Sequence, residues 1–286
     1  MSRPYAEVIG DPVAHSKSPL IHNFWLKKLG IDAEYRACHV RPDELADYFA
    51  RRRGDEGWRG CNITIPHKEA AGALIGRDSL LPGYIDFGAI NLVVPVNGVL
   101  MGANTDVEGI VGPINLFHDH AFNYGPVPPR QIAVIGGGGA ARAAIFGLSQ
   151  LSFPKSWRFL VRRPEQGAEL VALANGPAQV LPISAESIAG TDILINASPL
   201  GMQGKPCLDL PLDKMGGGTG QCLIFEMVYA PLETGLTTAA REREFAVIDG
   251  LDMLIGQAVG AFHHLFGVEV PKKIVRGTRA MVLASS

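Results

Sequence analysis

Two groups of residues, far apart in the chain, carry the types and spacings that chemistry needs. Near the N-terminus, Gly10-Asp11-Pro12-Val13-Ala14-His15-Ser16-Lys17-Ser18-Pro19 and Asn62-Ile63-Thr64-Ile65-Pro66-His67-Lys68 put hydroxyls and one lysine in polar loops. In mid-chain, Ile132-Ala133-Val134-Ile135 runs into Gly136-Gly137-Gly138-Gly139-Ala140-Ala141-Arg142. An apolar strand that breaks into glycines and then an alanine-rich helix is the pattern of a dinucleotide pyrophosphate site. At Gly136, Gly138, Gly139 and Ala140 small or absent side chains let backbone N–H groups approach a diphosphate, and the helix N-terminus adds partial positive charge. Together the two groups suggest a redox enzyme for a small polar substrate.

The next strand ends at Arg162-Arg163-Pro164, where an NAD site usually has an acidic residue for the ribose diol. Guanidinium groups there favour a 2′-phosphate, so NADP is expected as cofactor. Glu165 close by keeps NAD open. Hydride exchange between a secondary alcohol and a nicotinamide needs a group to give or take the hydroxyl proton. Lys68, at a helix start, and Asp106, ending Gly102-Ala103-Asn104-Thr105-Asp106 at an expected helix N-cap, are the candidate pair. Taken singly, plain capping is the better explanation of Asp106 and a solvent-facing position that of Lys68.

The elements that must position these residues alternate between strand and helix almost throughout, which predicts an α/β protein with helix-covered parallel sheets. Ser18 as N-cap, Pro19 at the first helical position and Gly30 as terminator define one helix, and Pro42 to Arg53 a second. Strands are expected over 33–40 and 59–65, and a hairpin over 89–102 turning at Asn97-Gly98. The stretch 118–130, ending Pro126-Val127-Pro128-Pro129, reads as a linker or surface loop. A second series follows, with strands over 131–135, 157–162, 192–196, 222–228 and 245–248. A helix over 252–266 and one opened by Pro271 close the chain. At 286 residues two domains are expected. Net charge is −2 with 19% charged residues, so no electrostatic case exists for nucleic acid or an anionic membrane. The chain shows neither an apolar signal segment nor a membrane-span-length apolar run, so a soluble cytoplasmic protein is expected. Cys38, Cys61, Cys207 and Cys222 lack close pairing and read as free thiols filling space beside strands. His118 and His120 around Asp119, and His263-His264, lack a recognisable third ligand, so no metal is expected.

The whole constellation resembles the shikimate dehydrogenase family over nearly its full length. The matching segments are Gly10-Asp11-Pro12 to Ser18-Pro19, Asn62 to Lys68, Gly88-Ala89-Ile90-Asn91, Asn104-Thr105-Asp106, Gly136 to Arg142 and Asn196-Ala197-Ser198-Pro199-Leu200-Gly201-Met202. Further on come Tyr229-Ala230-Pro231 with Thr234, and Gly250-Leu251-Asp252-Met253-Leu254 with Gln257-Ala258. The resemblance implies that Ser16 and Ser18, assisted by Tyr229, hold a substrate carboxylate. It implies that Thr64, Asn91, Asp106 and Gln257 bind ring hydroxyls. Lys68 would be the general acid/base and Asp106 its hydrogen-bonded partner. Ser198, Met227 and Gly250 would line the nicotinamide side.

The implied architecture is a substrate domain of residues 1–110 completed by 250–286, with a Rossmann-like dinucleotide domain over 111–249 and the active site in the cleft. The implied reaction is NADPH reduction of 3-dehydroshikimate to shikimate by a monomer or homodimer. Departures from the family pattern are Arg162-Arg163-Pro164 for Asn-Arg-Thr, Leu92 for threonine, Ala103 for a larger residue and Glu226 for aspartate. Arg163 keeps the 2′-phosphate ligand. The departures leave room for an NAD-preferring quinate/shikimate dehydrogenase or another ring-acid paralogue. A bilobal ligand sensor is the rival of a different class.

Overall fold

The computed structural model describes residues 3–121, 130–153, 155–216 and 222–285. The chain divides into two compact units, Met1–Glu108 with Ile255–Ser286, and Gly109–Leu254.

The first unit is built on a five-stranded sheet of order β2-β1-β3-β4-β5. Here β1 is Tyr5–Gly10, β2 Glu34–His39, β3 Trp58–Ile63, β4 Leu92–Val96 and β5 Val99–Ala103. The first three run parallel, while β4 and β5 form the antiparallel hairpin expected at Asn97-Gly98, both with positive φ (50° and 80°). Every residue of β1 is buried, as a strand covered on both faces requires. One face packs Tyr5, Ile9, Cys61 and Val93 against Tyr48 and Phe49 of α2 (Leu45–Arg52), which a short 3-10 turn, Pro42–Glu44, precedes. On this face Glu7 is fully buried, held bidentately by Arg52 and singly by Arg36 and by Tyr48 Oη. Burial pushes its carboxyl up, but the bonds from Arg52 and Tyr48 overcome this and leave it below the ordinary range.

Against the other face of this sheet lie α1 (Ser18–Leu29), α8 (Gly250–Phe266) and α9 (Lys272–Ala284), the last packed on α1. Their rings form one cluster: His22 stacks on Tyr35 at 4.1 Å and on Phe262 at 5.8 Å, with Trp25 edge-on to both His22 and Phe262. Trp25 Nε1 donates to Thr278 Oγ1 of α9. The open edge of β2 is occupied by a side chain. Asn23 Oδ1 accepts from the Tyr35 N–H, and Asn23 Nδ2 donates to the Tyr35 carbonyl and to that of Pro19.

The second unit holds six parallel strands in the order β11-β10-β9-β6-β7-β8. They are β6 Arg130–Ile135, β7 Lys155–Leu160, β8 Ala178–Leu181, β9 Ile193–Asn196, β10 Leu223–Glu226 and β11 Ala246–Ile248. The intervening helices are α5 (Gly139–Ser149), α6 (Pro164–Leu173) and α7 (Gly235–Arg241). Numbered within the unit, this is the 3-2-1-4-5-6 order of a doubly wound dinucleotide fold. The direction of winding reverses between β6 and β9, and the segments beyond the carboxyl ends of those strands face one crevice.

Several expectations need correction. Ser18 is the first helical residue rather than the N-cap: Lys17 precedes it in right-handed conformation, and the Ser18 N–H is bound by Ser16 Oγ at 3.3 Å. Asp106 likewise begins its helix, α4 (Asp106–Ala121). That helix absorbs the start of the expected 118–130 linker despite Pro113 inside it, and Arg130 belongs to β6, so only residues 122–129 of that stretch lie outside the described residues. Strand β8 was not anticipated. Cys61 and Cys222 are buried and Cys38 partly so, but Cys207 is exposed and fills no core. No helix among the described residues is long and apolar enough to cross a membrane.

Candidate active site

In the first unit the expected residues gather at the carboxyl ends of β1 and β3 and at the close of the hairpin. The segments leaving β1 and β3 are tied together, since Thr64 N–H bonds the Ile9 carbonyl and Asp11 N–H the Ile65 carbonyl. The Thr64 methyl then comes within 2.5 Å of where a Cβ on Gly10 would stand. Glycine at position 10 is therefore a packing requirement. Lys68 opens α3 (Lys68–Ile75), with its backbone carbonyl bound by Ile90 N–H. Its Nζ is ion-paired with Asp106 Oδ2. Both side chains are largely enclosed, 16% and 5% exposed, so the pair is little screened by water.

Asp106 is held from its other oxygen too: Asn91 Nδ2 donates to Oδ1 at 2.8 Å. The same amide donates to Thr105 Oγ1, and Asn91 Oδ1 accepts from Thr105 N–H. Asn104 Oδ1 takes the Asp106 N–H, while its Nδ2 binds the Ala89 carbonyl. Gln257 from α8 joins through Thr105 Oγ1 at 3.4 Å. The amide of Asn91 is thus turned on Asp106 and Thr105, and it holds the carboxylate that faces Lys68 from its other side.

In the second unit the segments expected to hold a dinucleotide all lie past the carboxyl ends of the parallel strands. Gly136 follows β6 with φ 111°, and a Cβ there would come 2.9 Å from the Ala197 carbonyl oxygen across the switch point. Gly138, the N-cap of α5, makes no side-chain cap, and a Cβ on it would meet nothing within 4 Å. Gly139 and Ala140 open that helix with N–H groups that have no intrahelical acceptor. Arg162 and Arg163, the latter the N-cap of α6, are both exposed, and no carboxylate among the described residues pairs with either. Glu165 lies in the first turn of α6. This donor set fits a phosphorylated dinucleotide, with amides for a diphosphate and unneutralised guanidiniums for a further phosphate.

Past β9, Asn196 Oδ1 accepts from Ser198 N–H and Oγ, shaping the turn that carries Ser198. Past β10, Met227 and Tyr229 are half-buried. Gly250 makes room for the same segment, since a Cβ on it would stand 2.6 Å from the Val228 carbonyl carbon and oxygen. Its side-chain-free surface is thus used against backbone.

The sequence carries no evident role for Asn104, Thr105 or Thr234, although each sits in a quoted motif, nor for Glu226, which stands out only as a departure from the family pattern. The available signal was local: Asn104 two residues before a helix start is the pattern of an Asx turn. His67 is buried and its Nε2 lies 2.6 Å from the Val40 carbonyl, whereas His15 is exposed. His264 Nε2 meets Tyr84 Oη at 3.1 Å and His263 pairs with Glu269. The side chains of His118, Asp119 and His120 lie outside the described residues, and so does most of the 216–218 glycine run. Leu92 and Ala103, two of the family departures, prove to be direct cross-strand partners and are both fully buried. A larger residue at 92 faces a smaller one at 103, so the two changes offset each other inside the core.

Residues 8–93 match the family model described as the shikimate dehydrogenase substrate binding domain. The chain is 43% identical to the shikimate dehydrogenase (NADP(+)) of Sphingopyxis alaskensis over 98% of its own length and 97% of that protein's. It is 41% identical to the enzyme of the same name from Methylobacterium radiotolerans, over 93% of each chain. Among solved structures, the shikimate 5-dehydrogenase of Thermus thermophilus in complex with NADP(H) and shikimate superposes with a TM-score of 0.76 at 28% identity, covering 97% of this chain and 99% of that one. Motif order, the two sheets and identity sustained from end to end agree, and the chain belongs to the shikimate dehydrogenase family.

Proposed function

We propose that the protein catalyses the reversible NADP-dependent reduction of 3-dehydroshikimate to shikimate. The observation that carries this reading is the enclosed Lys68–Asp106 pair, with Asp106 fixed on its far side by Asn91. Bound NADPH supplies the hydride for the ring carbonyl carbon. Lys68 Nζ gives the proton to the carbonyl oxygen, and in the oxidative direction it takes the hydroxyl proton. Asp106 keeps the ammonium aimed and balances its charge. Ser16 and Ser18 offer neutral hydroxyl donors for the substrate carboxylate. Thr64 and Gln257 present further polar groups for ring hydroxyls. The glycine turn and the first amides of α5 suit the cofactor diphosphate, and Arg162 with Arg163 suits the 2′-phosphate.

A ligand sensor has no need of a proton-transfer pair, which favours an enzyme over that rival. The test compares kcat/KM for shikimate and quinate with NADP and NAD by nicotinamide absorbance. Shikimate with NADP is expected to be the best pair. Lys68→Ala should lower kcat by about 10²–10⁴-fold with NADP affinity nearly unchanged. Undiminished turnover in that variant, or a preference for quinate with NAD, would overturn the proposal.

A further inference from the structure

Glu226, the last residue of β10, is fully buried and belongs to none of the groups assigned above. Its carboxylate receives donors from three separate segments. Oε1 accepts from Asn196 Nδ2 at 2.8 Å and from Val228 N–H at 3.0 Å, and Oε2 accepts from Thr234 Oγ1 at 3.0 Å. Every one of these partners is a donor in the arrangement, the pattern of an acceptor-only carboxylate. Burial pushes its pKa up and these donors oppose the rise.

The consequence reaches two segments at once. Glu226 takes one hydrogen of the Asn196 amide and the Leu200 carbonyl the other, so the two together turn Asn196 Oδ1 toward Ser198 N–H and Oγ, with Glu226 the one side chain among them. By taking the Val228 N–H, it turns the backbone between Met227 and Tyr229, against which Gly250 is packed. Thr234, the third partner, caps α7 by accepting from Thr237 N–H, so the end of the following loop is anchored on the same carboxylate. We propose that Glu226 is the positioning residue for the nicotinamide end of the cofactor site, setting Ser198 on one side and Met227 on the other through a single buried hydrogen-bond acceptor group. The longer glutamate, where the family commonly has aspartate, spans these three segments. The inference rests on the cofactor reading and deepens it.

Calorimetric titration separates the two ends of the ligand. NADP+ engages the whole site, whereas adenosine 2′,5′-bisphosphate engages only the adenine and 2′-phosphate end. Glu226→Ala leaves its donors unpaired, and is expected to weaken NADP+ by about tenfold or more while 2′,5′-ADP stays within about twofold. Glu226→Gln should keep NADP+ near the wild-type affinity, because the Thr234 hydroxyl can turn to accept from the new amide. Thr234→Val, which leaves the carboxylate in place, should show the same selective loss in smaller measure and carries the test if Glu226→Ala does not fold. Unchanged NADP+ affinity, or equal losses for both ligands, overturns the positioning role. A wild-type protein that binds no 2′,5′-ADP overturns the cofactor reading itself, and this proposal with it.

Discussion

Asp106 is constrained on both carboxylate oxygens, by Lys68 on one and Asn91 on the other, and its backbone N–H is held by Asn104. A side chain with this many partners has a single orientation, which is what a proton-transfer partner requires. His22 shows the opposite case. Its ring is completely buried among Trp25, Tyr35 and Phe262, and neither nitrogen has a hydrogen-bond partner among the described residues. Burial pushes its pKa down to about 3. Because the folded value lies below the unfolded one, the neutral ring is tolerated at neutral pH, and the unfolded chain gains protons first as pH falls. The folded state should therefore lose stability relative to a His22→Phe variant by about 1.4 kcal/mol for each pH unit below about 6.5, until the folded value of about 3 is reached. Urea denaturation of the two proteins at several pH values measures this. Parallel pH profiles would show that His22 is already protonated or solvated in the fold.

At the scale of elements, the edge of β2 shows how a short sequence feature protects a sheet. Asn23 lends its amide to both outward backbone groups of Tyr35, occupying positions where a foreign strand would bind. Asn23→Ala should cost about 1 kcal/mol in urea unfolding and increase self-association seen by light scattering. An unaltered midpoint and scattering would show that water replaces the amide at no cost. Periodicity and punctuation made most elements legible beforehand, including α1 with Gly30, the Asn97-Gly98 hairpin and the strand before Gly136. What escaped has identifiable causes. Ala178–Leu181 is a four-residue strand with no fully buried position, hemmed by Pro177 and Pro182. The far end of α4 was hidden by Pro113, which normally argues against a helix interior. The site residues were named from motifs, but Asn91 as a brace for Asp106 and Glu226 as a three-way acceptor depend on contacts between residues many positions apart. Leu92 and Ala103 likewise looked like independent departures until strand register placed them opposite each other.

For the molecule as a whole, two compact units with separate cores predict thermal behaviour that single-site ligands can pull apart. In scanning calorimetry, 2′,5′-ADP at about 100 times its dissociation constant should stabilise the Gly109–Leu254 unit by about 2.7 kcal/mol, and shikimate should act on the other unit. One transition displaced identically by both ligands would contradict this. The first unit differs from the second in that its chain is interrupted: the rings of His22 and Trp25 meet Phe262, and Trp25 bonds Thr278, residues synthesised more than two hundred positions later. On the ribosome, therefore, the middle of the polypeptide can finish folding while the earliest strands still wait, one apolar flank uncovered, for the final helices to emerge. Chaperone demand during synthesis should fall on the beginning of the chain and end only with its last helices.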